Sequence, residues 1–231
     1  MAGKKVAIIQ SNYVPWKGYF DIINSVDLFV FHDDIQFTTG DWRNRNKIKT
    51  DTGTRWITIP CGRDEKRKIN EVRIGDFQWQ RKHWNLISNY YSKAPFFNAY
   101  KNSMEDIYIN TRWTNLSEFN QFFIKKIAIE WLGVRTNFED SSKFNLIQQK
   151  ADRVLELLKK VGATEYISGP AAKAYLNSSR FTDSGIKLKW MDYSDYKEYN
   201  QLYPPFIHNV SILDLLFNEG PNARFFLKSV K

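Results

Sequence analysis

Three features of this sequence predict an α/β fold built as a Rossmann-like open sheet with mainly parallel strands. The chain opens as strand, loop, helix, strand. It returns to helix, strand, turn, helix after residue 150, and an aromatic-rich helical stretch separates the two.

The elements follow in order. Val6-Ala-Ile-Ile is an apolar run stopped by the polar loop Gln10-Ser-Asn12-Tyr13-Val-Pro15-Trp16-Lys17-Gly18-Tyr19. An amphipathic segment leads to a second apolar run, Asp27-Leu-Phe-Val-Phe-His32, which ends at Asp33-Asp34-Ile-Gln36. This is a βαβ unit, and the loop after its first strand lies at the carboxyl edge of the sheet. There the next helix offers free N–H groups and a positive dipole end, so small anions bind.

A cationic stretch, Trp42-Arg43-Asn44-Arg45-Asn46-Lys47-Ile-Lys49, precedes a turn at Asp51-Thr-Gly53-Thr and a strand from Arg55 to Pro60. Glu71 to Ile74 reads as another short strand. From Phe77 the period becomes helical, with Trp79, His83, Leu86, Ile87 and Tyr90 on one face. Asn115, with Glu118 three places on, caps a helix that runs through Phe119, Phe123, Ile127 and Trp131 to a stop at Gly133. Lys150 to Val161 repeats the pattern and stops at Gly162. Glu165 to Ser168 is a strand broken by Gly169-Pro170, and Ala171 to Leu176 reads as helical. Lys187 to Tyr193 is the last strand, and Ser211 to Gly220 is a capped closing helix. The expectation is a single α/β domain over 1–231 with a helical insertion or subdomain at roughly 77–145.

Bulk composition narrows the class. The 231 residues, 42% of them hydrophobic, suffice for a substantial core. No apolar stretch approaches the roughly 20 residues of a membrane-spanning helix, and the start runs into a strand instead of a signal-peptide core; this predicts a cytoplasmic protein without stable membrane insertion. One cysteine, Cys61, excludes an internal disulfide. The net charge of +9 favours an anionic partner: nucleic acid, a nucleotide or sugar nucleotide, or an anionic membrane face.

Missing motifs remove several classes. There is no Gly-x-Gly-x-x-Gly, no P-loop, no His-Glu-x-x-His and no Gly-x-Ser-x-Gly, which argues against dinucleotide oxidoreductases, P-loop enzymes, zincins and α/β-hydrolases. The loop Pro15-Trp16-Lys17-Gly18-Tyr19 instead keeps the framework of the His-x-Gly-His signature of adenylyl-transferring enzymes, with Trp16 and Tyr19 in place of the histidines. That points to a sheet of the nucleotidyltransferase/HUP-like kind. Gly18 would let backbone approach a phosphate, and Lys17 would add a mobile cation. Gln10, Asn12, Tyr13 and Pro15 complete the candidate substrate-binding loop, with Gln36 at the end of the second strand.

Other candidates are spread along the chain. Of Asp33 and Asp34, adjacent strand residues point to opposite faces, so one carboxylate is expected in the site; a metal-bridging acidic pair of the glycosyltransferase type is the alternative. Arg43, Arg45, Lys47 and Lys49 alternate, so an extended segment would project all four from one face, with Arg43 and Arg45 suited to phosphate, and Asn44 and Asn46 on the other side able to bond sugar or backbone. His83 lies on an apolar helix face and reads either as a core residue or as the general base. No metal site is assigned. Tyr166, Ser168 and Gly169, with Tyr175, form a second strand-to-helix turn able to bind a second substrate.

Taken together, five blocks resemble the WbqC-like family of bacterial surface-polysaccharide clusters. They are Gln10 to Asp21, Asp33-Asp34-Ile-Gln36-Phe37, Trp42 to Asn46 with Trp56 to Pro60, Tyr166 to Gly169 with Tyr175, and Ser211 to Asn218. The resemblance implies a role in O-antigen or similar glycan (lipopolysaccharide) biosynthesis, as an enzyme that modifies a nucleotide-linked amino sugar. Added to the degenerate loop and the cationic strand, it suggests an N-acyltransferase or ATP-dependent amide ligase acting on a dTDP- or UDP-linked amino sugar. The acyl group, glycyl or another aminoacyl unit, would come from ATP activation with Mg²⁺, as in pantothenate synthetase by fold-level analogy, or from an aminoacyl-tRNA. In this reading Lys17, Arg43 and Arg45 neutralise phosphates, Asp33 or Asp34 orients the sugar, and His83 takes the amine proton. A metal-dependent glycosyltransferase and an RNA-binding module are the alternatives.

Overall fold

The structure, a computed structural model, describes residues 3–174 and 176–230. Strand β1 (Lys5–Ile9) and strand β2 (Leu28–Phe31) flank helix α1 (Lys17–Asn24) and pair in parallel, Val6 opposite Leu28 through Ile9 opposite Phe31. The predicted βαβ opening is therefore present. β2 leads into an antiparallel hairpin, β3 (Arg45–Thr50) and β4 (Gly53–Thr58). Helices α2 (Gln78–Tyr91), α3 (Phe97–Glu105) and α4 (Leu116–Lys126) follow. The chain then returns through β5 (Asn137–Asp140), α5 (Lys150–Lys160), β6 (Glu165–Ser168), α6 (Ser178–Thr182) and β7 (Lys187–Trp190), and α7 (Ile212–Glu219) lies near its end.

The main sheet has the order β5-β2-β1-β6-β7, and every pair in it is parallel. Apolar side chains on both strand faces explain why it can be parallel. Val6, Ile8, Leu28 and Val30 turn to one face against Leu157 and Leu158 of α5, whereas Ala7, Phe29 and Phe31 join α1 and the central helices on the other. The order reverses between β1 and β6, which is where ligands sit in open sheets of this class. Among the described residues no helix is long and apolar enough to cross a membrane.

Several expectations change. β5 falls inside the stretch expected to be helical; Phe138 is its only apolar residue, so no alternation announced it. Pairing with β2 and the stacking of Phe138 on Phe31, at 5.8 Å and 15°, recruit it. The expected strand at Glu71–Ile74 is a 3-10 turn at Ile69–Glu71 with one bridge from Arg73 to Asn115. Where Ala171–Leu176 reads as helical, a 3-10 turn covers Pro170–Ala174, and β7 ends at Trp190. The caps behave as read: Asn115 Oδ1 accepts from Glu118 N at 3.0 Å, and Gly133 and Gly162 end their helices at positive φ.

Candidate functional site

The opening loop owes its shape to the hairpin behind it. Asn46 Nδ2 donates to the carbonyls of Tyr13 and Val14, at 3.0 and 2.9 Å, and Tyr13 N donates to Trp42 O at 2.9 Å. From the other side, Ile212 N donates to Pro15 O and Ser211 N to Lys47 O, at 2.9 and 2.8 Å. Loop, hairpin and the start of α7 thus form one rigid junction. At its tip Val14 is held at φ 35°, a left-handed conformation that costs a β-branched residue on the order of 1–3 kcal/mol and persists only where the surroundings over-determine it.

A cavity of about 380 Å³ opens at this junction, lined by Asn12, Pro15, Trp16, Trp42, Asn46, Lys47 and Asn209. Its wall mixes two indoles, three carboxamides and one ammonium, a composition suited to a polar ring bearing negative charge. Asn12 Oδ1 is buried with no hydrogen-bond partner among the described residues. A hollow of about 420 Å³ between α2 and the end of α3, lined among others by Gln80, Arg81, Asn110 and Arg112, is wider and touches none of the loops at the carboxyl edge of the sheet.

Of the expected loop residues, Asn12, Pro15 and Trp16 reach the cavity. Gln10 lends its carbonyl to the Tyr19 hydroxyl at 2.8 Å, which holds Tyr19 in the core. The close approach that Gly18 permits is taken up by an indole. The Trp16 indole fills its open side so closely that a Cβ would lie 2.3 Å from the ring. Lys17 is no mobile cation: its ammonium donates to Lys197 O at 3.0 Å and sits 5.0, 5.4 and 5.5 Å from the rings of Tyr196, Tyr199 and Phe206. Burial lowers its pKa to about 8, against the pull of Asp214 and Glu198.

The acidic pair is divided. Asp33 is fully buried and accepts from Ser11 N at 2.7 Å, Gln121 Nε2 at 3.1 Å and the Ser117 hydroxyl; its pKa is raised by burial, with those bonds opposing. Asp34 turns to Arg153 and the Ser141 hydroxyl. The two carboxylates take separate partners although both lie beyond the end of β2 at Phe31, and neither lines the cavity. Among the described residues no three His, Cys, Asp or Glu side chains group to hold a metal.

The cationic stretch is also sorted by the fold. Arg43 precedes β3 and pairs with Asp41 at 3.0 Å, and Lys49 is buried beneath the C-terminal segment with Nζ donating to Pro205 O at 2.7 Å. Only Arg45 and Lys47 share the open side of the strand, where both lie over Trp56. Asn44 is structural: its Nδ2 donates to Ile59 O at 2.9 Å.

His83 sits in the aromatic core between Tyr13 and Trp79, with Nδ1 2.8 Å from the Tyr13 hydroxyl. Burial depresses its pKa to about 4. It is not among the lining residues, and its Nδ1 is engaged with Tyr13, the neighbour of the lining residue Asn12. Gln36 is exposed and bridges to Lys68. Tyr166 stacks on Phe181 in the core, and Tyr193, whose ring meets Trp16, lies beside Gly169, where its hydroxyl would be 3.7 Å from an added Cβ. Tyr175 lies outside the described residues. Sequence reasoning missed Trp42 and Asn209 as lining residues and noted Asn46 and Lys47 without placing them in the site. Trp42 stands in the stretch it singled out, whereas Asn209 carries no local signal.

A parallel sheet of order β5-β2-β1-β6-β7, with a cavity on the loop after its central strand, defines an α/β protein of the Rossmann-like class. The chain belongs to the WbqC-like protein family, whose model matches residues 10–225. It is similar to the uncharacterized protein Rv1507c of Mycobacterium tuberculosis, 42% identical over 228 residues that cover 97% of this chain and 98% of that protein. No solved structure matches it.

Proposed function

We propose that this protein is a sugar N-acyltransferase of surface-polysaccharide biosynthesis that binds a dTDP- or UDP-linked amino sugar at the opening-loop cavity. The acyl group, glycyl or another aminoacyl unit, comes from an aminoacyl-tRNA or an ATP-activated donor. One observation carries the reading: Lys47, Asn12, Asn46 and Asn209 meet Trp16 and Trp42 around a single cavity. The ammonium suits a phosphate, the carboxamides suit hydroxyl and amino groups, and the indoles suit a ring. In the acyl step the sugar nitrogen forms a bond to the acyl carbonyl carbon, the bond from that carbon to the donor oxygen breaks with its electron pair on the oxygen, and the nitrogen's proton passes to the departing oxygen or to water. With His83, Asp33 and Asp34 engaged elsewhere, the cavity contributes positioning and charge neutralisation. Separate partners for Asp33 and Asp34 favour this reading over metal-dependent glycosyl transfer.

Thermal-shift titration with dTDP- and UDP-linked amino sugars, ATP and AMP tests it, because a ligand at 100 times its Kd stabilises by about 2.7 kcal/mol. A shift with a sugar nucleotide that Lys47→Ala and Asn12→Ala diminish is expected, together with an added acyl mass on the sugar when donor is supplied. No shift with any sugar nucleotide would overturn it.

A further inference from the structure

Trp42 and Trp56 are 44% and 41% exposed, and their ring centroids lie 5.5 Å apart at 36°. Two adjacent indoles open to water on a rigid hairpin forgo burial that a core site would provide, which marks a contact surface. The position of each is fixed by backbone: Trp56 is the ladder partner of Lys47, and the Trp42 carbonyl accepts from Tyr13 N. Trp42 and Lys47 also line the cavity, so the ring pair and the cavity are continuous.

The cations beside the pair differ from their neighbours. Arg45 and Lys47 stand 4.3 and 4.9 Å from the Trp56 centroid, and neither has an ion-pair partner among the described residues, whereas Arg43 is paired with Asp41. The Nε atoms of Arg43 and Arg45 are both without a hydrogen-bond partner among the described residues, so the ion pair is what separates them. The surface thus joins an aromatic face to unneutralised positive charge at the mouth of a cavity near the small end of the roughly 300–1,000 Å³ range of ligand sites.

We propose that Trp42 and Trp56 form a stacking platform for the nucleobase of a nucleoside-diphosphate ligand, setting its diphosphate against Arg45 and Lys47 and its sugar in the cavity. This rests on the sugar-nucleotide reading above and adds the direction in which the ligand lies. A single nucleotide fits better than a nucleic acid strand. Strand binders line up successive aromatic side chains, and the other strongly exposed aromatic residues described, Phe122 and Phe225, lie on different elements.

Calorimetric titration of wild type, Trp42→Ala, Trp42→Phe and Trp56→Ala with UDP, a UDP-linked amino sugar, glucosamine 1-phosphate and poly(U) decides the matter. Base–aromatic stacking predicts that each alanine variant weakens UDP and the UDP-sugar by about 5- to 150-fold. Trp42→Phe should recover most of the affinity, and for Trp56→Ala, whose indole does not line the cavity, glucosamine 1-phosphate, which has no base, should change less than about twofold. Circular dichroism and melting temperature establish that the variants fold. Wild-type binding of UDP-sugar that survives both alanine substitutions overturns the platform alone. Equal loss for UDP and glucosamine 1-phosphate in Trp56→Ala also overturns it. Failure of wild type to bind any sugar nucleotide overturns both platform and site reading. Poly(U) binding tighter than UDP replaces the mononucleotide with a nucleic acid.

Discussion

The hydroxyl of Tyr13 lies 2.8 Å from Nδ1 of His83 and 2.8 Å from the hydroxyl of Tyr108, so the opening loop is tied to two helical segments by one buried polar chain. The loop that carries the cavity is therefore braced from inside the core, and the histidine acts as part of that brace.

This predicts an acid-sensitive contribution to stability. An unfolded histidine takes its proton near 6.5, whereas burial holds folded His83 neutral down to about 4. Between those values the unfolded chain binds more protons, so stability falls as pH drops from 6.5 to 4 and levels off below. His32, also lowered to about 4 by burial, contributes in the same window. The urea midpoint of His83→Gln should decline less steeply over it than that of wild type; an identical slope would exclude the buried neutral imidazole.

Lys17 gives the opposite end of the pH scale. Its folded pKa of about 8 lies below the ordinary 10.5, so between these values the unfolded chain keeps a proton that the folded one has released. Its share of stability rises with pH across that window. Lys17→Met should flatten the rise relative to wild type and leave stability at pH 7 equal or higher, since a caged charge is removed and the side-chain volume kept. A large loss at pH 7 would show that the contacts to Lys197 O and the three rings outweigh the cost of burying the charge.

Asp33→Ala should destabilise the fold, because three donors around a buried carboxylate lose their acceptor at about 1.5–3 kcal/mol for a charge-assisted bond. Denaturant unfolding measures this. Folded Asp33→Ala protein should still bind sugar nucleotide with a Kd near the wild-type value; selective loss of binding at unchanged stability would restore the carboxylate to the site.

Gly18→Ala places a Cβ 2.3 Å from the Trp16 ring, so the indole must leave its seat against Gly18, Tyr193 and Tyr196. Overpacking of this kind costs about 1–3 kcal/mol. Sugar-nucleotide affinity and tryptophan emission should change together, since Trp16 also lines the cavity. An unchanged emission spectrum with full affinity would count against the packing role of this glycine.

The legible part of the site was its place. The loop after β1 and the stretch from Trp42 to Lys47 were both marked in sequence, and both border the cavity. Residue roles were less legible, because side-chain type says what a group can do and packing says what it is free to do. Lys17 and Lys49 look like phosphate ligands until Lys197 O and Pro205 O take their ammonium groups. Asn46 looks like a sugar ligand and also serves as the clamp on two loop carbonyls.

By itself the sequence determined the α/β class, the βαβ opening and the helix caps, since these depend on periodicity and on neighbours a few residues away. Tertiary structure decided the rest. β5 joined the sheet through β2, more than a hundred residues earlier, and Asn209 reached the cavity because Ser211 and Ile212 dock on Lys47 and Pro15. The degenerate loop of Trp16 and Tyr19 was turned by packing into an indole over Gly18 and a phenol in the core. Such outcomes depend on which distant surfaces meet, and burial and hydrogen-bond satisfaction are properties of the assembled chain, not of any stretch of it.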